Sequence, residues 1–103
     1  MTDELVLREV EGTITIPAAT LNRIVVAAAE AADGARVRRP RRGVAVEVNG
    51  ASASVSLQLT VRFGTVLPEL AETVQTNVAR AVERLCGLEV RTVDIAVEEL
   101  VER

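Results

Sequence analysis

Histidine, lysine, tryptophan and tyrosine are missing from this chain, and phenylalanine and cysteine occur once each. Each gap removes a class of chemistry. Without His, no side chain titrates near neutrality by default, and no imidazole exists for a catalytic triad or for a metal. Without Lys there is no Schiff base and no Walker-type phosphate lysine. The lone Cys86 excludes an intramolecular disulfide and any multi-cysteine metal site. Scarce aromatic rings argue against sites for sugars, flat cofactors or single-stranded bases, which rely on stacking platforms. Long apolar runs are missing as well. The longest, Ile24 to Ala29, stops at Glu30, against about 20 residues needed to cross a bilayer, so no direct membrane insertion is expected. The opening Met1-Thr2-Asp3-Glu4 is acidic and lacks the positive start of a secretory signal, so a cytosolic chain is expected.

What is present suits a single folded domain. The 103 residues are 49% hydrophobic and 26% charged, which is too apolar for disorder, and the core must be built from Val, Leu, Ile and Ala. Gly12 precedes Thr13-Ile14-Thr15-Ile16, a short first strand with both isoleucines on one face. Pro17 suits a helix opening, and Leu21, Ile24, Val25, Ala28 and Ala32 recur at three- and four-residue spacing, which predicts a helix from about 17 to 32 with its stop at Asp33-Gly34.

The strongest local signal is Asn49-Gly50, a dipeptide that favours a tight hairpin turn. A two-residue turn there pairs Val48 with Ala51, Val46 with Ala53 and Val44 with Val55, and gathers the apolar residues on one side. Alternation then runs on, with Val55, Leu57, Leu59, Val61 and Phe63 inward and Ser54, Ser56, Gln58, Thr60 and Arg62 outward. Extending the partner strand backwards would bury arginines at 36, 38 and 42, at a prohibitive cost, and Pro40 lacks a ladder donor. The ladder must therefore break before Gly43, leaving R-V-R-R-P-R-R as a loop or irregular edge.

A second helix follows, capped by Thr65, with Pro68 in its first turn, an apolar stripe of Leu67, Leu70, Ala71, Val74, Val78, Ala81, Val82 and Leu85, and Gly87 as its stop. The last strand, about 88 to 98, changes parity between Val90 and Val93, which a bulge near Arg91-Thr92 reconciles. The order is β-α-β-β-α-β. Its simplest packing is an α+β two-layer sandwich, a mostly antiparallel sheet with two helices on one face and the other face open. Residues 1–9 read as a flexible lead, 10–99 as the domain and 100–103 as a tail.

No catalytic, metal or cofactor residues stand out, and no enzyme is expected. Cys86 sits at a helix C-terminus, where the dipole opposes a thiolate, so it reads as an inert packed thiol. Glu98, Glu99 and Glu102 read as a solvated tail rather than an acid-base pair, and no glycine-rich phosphate motif follows a strand. The one charge anomaly is Arg36, Arg38, Arg39, Arg41 and Arg42. Removing those five positive charges from a net of −3 leaves −8 on the rest of the chain. Such a basic loop on an acidic body reads first as plain solvated surface, then as a protein or membrane contact, and last as an RNA site. The outward row Ala45, Ser54, Ser56, Gln58 and Thr60 is small and uncharged. It reads equally as a docking surface, since interface cores are depleted of charge, or as an ordinary wet sheet face.

Several segments taken in order make the chain resemble the alkaline shock protein family of bacterial envelope stress response proteins. They are G-T-I-T-I, A-A-D-G, V-S-L-Q-L-T-V-R-F-G, V-Q-T-N-V-A-R-A-V-E-R-L-C-G-L-E-V and the closing V-D-I-A-V. The resemblance implies a non-enzymatic cytoplasmic protein that gathers at the inner face of the membrane through a small integral membrane protein of the envelope stress system, and that self-associates as a homo-oligomer. It supplies no catalytic residues, and the Arg-rich loop lies outside its pattern. The leading expectation is thus a scaffold or adaptor, with a small RNA-binding module working through Arg36 to Arg42 as the alternative.

Overall fold

The computed structural model describes residues 4–8, 13–38 and 43–102. Eight elements follow in order: β1 (Leu5–Arg8), β2 (Thr13–Ile16), α1 (Ala18–Glu30), β3 (Ala35–Val37), β4 (Val44–Asn49), β5 (Ser52–Arg62), α2 (Leu67–Cys86) and β6 (Glu89–Val101). The expected order is present with two strands added. β1 pairs antiparallel with β2, and its Leu5 is only 2% exposed within the core, so the lead expected to be flexible contributes a strand and a core residue. β3 overlaps the start of the segment expected to be a loop or irregular edge, taking in Arg36 and Val37.

β5 is the spine of the main sheet. β4 runs antiparallel along its first half, β3 runs antiparallel along its second half, and β6 lies parallel to it. The backbone of Gln58 shows that β3 and β4 share one flank: its N–H donates to Gly43 O (2.9 Å), and its carbonyl accepts from Arg38 N–H (2.8 Å). β6 takes the opposite flank. The sheet is mixed, with two antiparallel pairings and one parallel pairing, and α2 is the crossover that a parallel β5–β6 pair requires.

Both helices cover one face. α1 packs on β3 and β4, α2 packs on β6, and the helices pack on each other. Every second residue of β5, namely Ala53, Val55, Leu57, Leu59 and Val61, is buried beneath them, against Leu21, Val25 and Ala29 of α1 and Leu70, Val74, Val78, Val82 and Cys86 of α2. Burying one such aliphatic side chain is worth about 1.5–3 kcal/mol, so this single layer accounts for the fold. Among the described residues, no polar or charged side chain is buried.

The hairpin register differs from the expected one by two positions. Val44 faces Leu57, Val46 faces Val55, Val48 faces Ala53 and Asn49 faces Ser52, so the turn is Gly50-Ala51. Gly50 has φ +64°, a left-handed value that suits glycine at the first central position of a hairpin turn. A shift of two preserves parity, so the face assignments survive the correction.

Other departures occur where elements end. α1 stops at Glu30 with Ala31 as its C-cap, ahead of Asp33-Gly34, and the Asp33 carboxylate instead meets Arg62 Nη2 at 2.9 Å on the surface. Thr65 does not cap α2. Its N–H closes a turn on Arg62 O, and Val66 is the N-cap, without a side-chain bond. Phe63 was expected inward but is 63% exposed, because β5 ends at Arg62 and the chain turns away. Leu67 and Leu85, placed in the apolar stripe, are also exposed. Gly87, with φ 72°, ends α2 as expected. The expected bulge is present too: Val90 faces Ala53 and Thr92 faces Ser54, leaving Arg91 as the extra residue. β6 then runs on to Val101, through the first half of the stretch expected to be a tail.

Candidate functional site

With two helices on one side, the opposite side of the sheet has no covering layer. Ser54, Ser56, Gln58 and Thr60 follow one another down its centre on β5; Ser56 and Gln58 are exposed, and Ser54 and Thr60 are half-buried. Register places Arg36 beside Thr60, then Ala45 and Asp94 on either side of Ser56, and Glu47 and Thr92 on either side of Ser54. Ala96 flanks Gln58. The centre is therefore neutral and small, and charge of both signs stands at its rim. That is the distribution of a protein interface, with a core depleted of charge inside a polar border.

Two open hollows mark this face. One, of 310 Å³, lies over Gly43, Ala45, Ser56, Gln58, Asp94 and Ala96. The other, of 470 Å³, lies over Glu47, Asn49, Ser52, Ser54 and Arg91. Each is lined by a single carboxylate, so neither holds a pair of opposed acids of the kind whose separated pKa values divide acid and base roles. Among the described residues no group of three or more His, Cys, Asp or Glu is placed to hold a metal.

The described part of the arginine segment lies at the edge of this face, with Arg36 paired to Thr60. Arg38 and Gly43 both bond to the backbone of Gln58, so the described residues on either side of 39–42 are fixed at one point of β5. The ladder break expected before Gly43 is thus present. Arg36 is exposed on β3 and Arg38 is half-buried. Arg39, Arg41 and Arg42 lie outside the described residues, so the structure brings together only two of the five arginines with the polar row. The RNA reading gains no support from them.

The sequence did not reveal how the sheet edges are finished. Long polar side chains of the helices reach over to outward-facing backbone groups. Val37 N–H donates to Glu30 Oε2 (3.0 Å), Val90 N–H donates to Glu83 Oε2 (3.3 Å), and Gln75 Nε2 donates to Val93 O (3.0 Å). Such caps satisfy the edge and discourage unwanted strand pairing. Helix periodicity alone placed these residues off the apolar stripe but could not aim them.

Cys86 is buried at the end of α2, and desolvation raises its thiol pKa above the ordinary 9.0. A raised value means that the folded state holds its proton longer. Its contribution to stability is therefore complete below the ordinary pKa and is lost as pH rises through the raised one. Native protein is expected to react with a thiol reagent at pH 8 far more slowly than protein in denaturant. Equal rates would mean that the thiol is accessible. In urea titrations, Cys86→Ala is expected to remove the part of the stability loss that falls above pH 9.

Comparison with known proteins adds one match. The sequence profile of the alkaline shock protein 23 family, described by a cell envelope-related function, covers residues 35–102, more than half of the chain. No curated protein and no solved structure matches it.

Proposed function

We propose, because the chain belongs to the alkaline shock protein family with its cell envelope-related function, that it is a non-enzymatic scaffold or adaptor for a membrane-anchored partner. The observation that carries this reading is the uncovered sheet face, whose neutral Ser54, Ser56, Gln58 and Thr60 centre sits inside a charged rim. Desolvating hydroxyls and an amide on docking is far less costly than desolvating ions, so such a face can be covered reversibly. Among the described residues, no helix is long and apolar enough to cross a membrane. Under this reading the chain stays in the cytoplasm and reaches the inner face of the membrane through a small integral membrane protein. Self-association of the domain then multiplies weak contacts into a stable array.

The test uses affinity-tagged full chain expressed in its own cell and recovered in mild detergent. A small integral membrane protein is expected to co-purify, and to be lost when Ser56 and Gln58 are both changed to Glu, which charges the centre of the face without touching the core. Recovery of the folded parent chain as a monomer with no membrane protein would overturn the proposal.

A further inference from the structure

We infer that the outer edge of β6 from Ile95 to Leu100 is a strand-addition site for an extended partner segment that alternates apolar residues with Lys or Arg. The inference rests on the proposed function and gives that partner a chemistry. It begins with backbone parity. Gln58 turns its N–H and C=O toward β3 and β4, so Leu57 and Leu59 turn theirs toward β6. Ile95 and Val97, their register partners, then point their own N–H and C=O outward, as alternate residues of a parallel ladder do. Glu98 is the extra residue of a second bulge, since Val97 faces Leu59 and Glu99 faces Thr60. Beyond it Phe63 N–H bonds to Val101 O, which turns Val101 inward and Leu100 outward.

This stretch is finished differently from the start of β6 and from β3. The start of β6 is closed by Glu83 and Gln75, and β3 is closed by Glu30. From Ile95 onward, no such cap is present among the described residues. An open row of donors and acceptors beside apolar side chains is what strand addition uses. Here the apolar side chains are Val97, 40% exposed, and Leu100, 49% exposed, on the side where the helices lie. β6 ends where α2 begins, and Val66 and Leu67 leave exposed apolar surface at that same end. A groove of 470 Å³ between Gln75, Thr76 and Ala79 of α2 and Arg91, Thr92 and Val93 of β6 continues the track toward the start of the strand.

Charge selects the occupant. β6 carries Glu89, Asp94, Glu98 and Glu99 against Arg91 alone, and Glu102 follows it. A second copy docking β6 against β6 would set like charges opposite one another, which is destabilising. An incoming strand with apolar residues toward α2 and cations on the other side faces Asp94 on the open face and Glu98 and Glu102 beyond it.

The test measures fluorescence anisotropy of short labelled peptides on the purified full chain. The first peptide alternates Val with Lys, the second alternates Val with Glu, and the third is the Val-Lys peptide N-methylated at alternate amides. The Val-Lys peptide is expected to bind saturably, and both the Val-Glu and the N-methylated peptides to bind at least about tenfold more weakly. Val97→Pro removes an outward donor and leaves the β5 ladder intact, so it is expected to weaken the Val-Lys peptide to a similar degree. Reversing Asp94, Glu98 and Glu102 to Lys is expected to exchange the preference between the two charges. Equal binding of the N-methylated peptide shows plain charge attraction and overturns the inference, and it does so even where a protein variant fails to fold. Absence of Val-Lys binding overturns it as well. If Val97→Pro captures the membrane partner as well as the parent chain does, the edge site falls while the proposed function stands. If the peptides bind as expected but the parent chain captures no membrane protein, the proposed function falls instead.

Discussion

Val55→Asp is expected to leave the chain unfolded at pH 7, whereas Ser56→Asp, one residue along the same strand, changes stability by about 0.5 kcal/mol or less. Val55 is 1% exposed at the centre of β5, with Val46 across one ladder and Val93 across the other. No buried polar or charged side chain is present among the described residues to receive a carboxylate there. An unpaired ion in such surroundings costs more than the roughly 5–15 kcal/mol that holds a domain together. Protonation offers an escape. Burial raises the pKa of the introduced acid, so its destabilisation is smallest below about pH 3.9, the ordinary Asp value, and grows as pH rises through the raised one. Far-UV circular dichroism should therefore show Val55→Asp regaining helix on acidification. A variant that melts like the parent at pH 7 would mean that this face of β5 is not covered.

Leu57→Ala is expected to cost about 2–5 kcal/mol, and Phe63→Ala less than about 1 kcal/mol, although Phe63 is the larger side chain. Leu57 is 2% exposed between Val44 and Ile95, so truncation leaves a hole that rigid strands and two helices cannot fully close. Phe63 lies beyond the end of β5 and is already largely in water. Urea midpoints for the two variants distinguish these cases. Comparable losses would show that Phe63 packs against the core after all.

This pair of residues also marks the limit of pattern reading. Period-two alternation locates an inward face well while a strand lasts, and from Ala53 to Val61 it is correct at every position. It does not announce where the strand ends, so Phe63 is carried inward by extrapolation. The hairpin dipeptide Asn49-Gly50 located the turn, but glycine tolerates several placements within it, and the register moved by two while the faces held. The parity change between Val90 and Val93 was informative because only a bulge reconciles two inward sets, and Arg91 is that bulge. The four residues of β1 are too few to show a period, and their partner β2 is distant from the sheet signals.

The candidate site was legible in its centre and not at its borders. Ser54, Ser56, Gln58 and Thr60 follow from alternation within one strand. Their neighbours on β4 and β6 depend on pairing, and the edge caps from Glu30, Gln75 and Glu83 depend on helix placement, which no local pattern encodes.

Gln58 also bears on how this family of chains can vary. Because Arg38 and Gly43 are anchored to the same backbone unit, the gap that the arginine segment must bridge stays constant whatever lies between them. For a closed loop whose ends are held, each doubling in length costs only about 0.6 kcal/mol. The two anchors at Gln58 thus hold the flanks of that stretch in one place, so a change in the number of residues between Arg38 and Gly43 is expected to cost the sheet little.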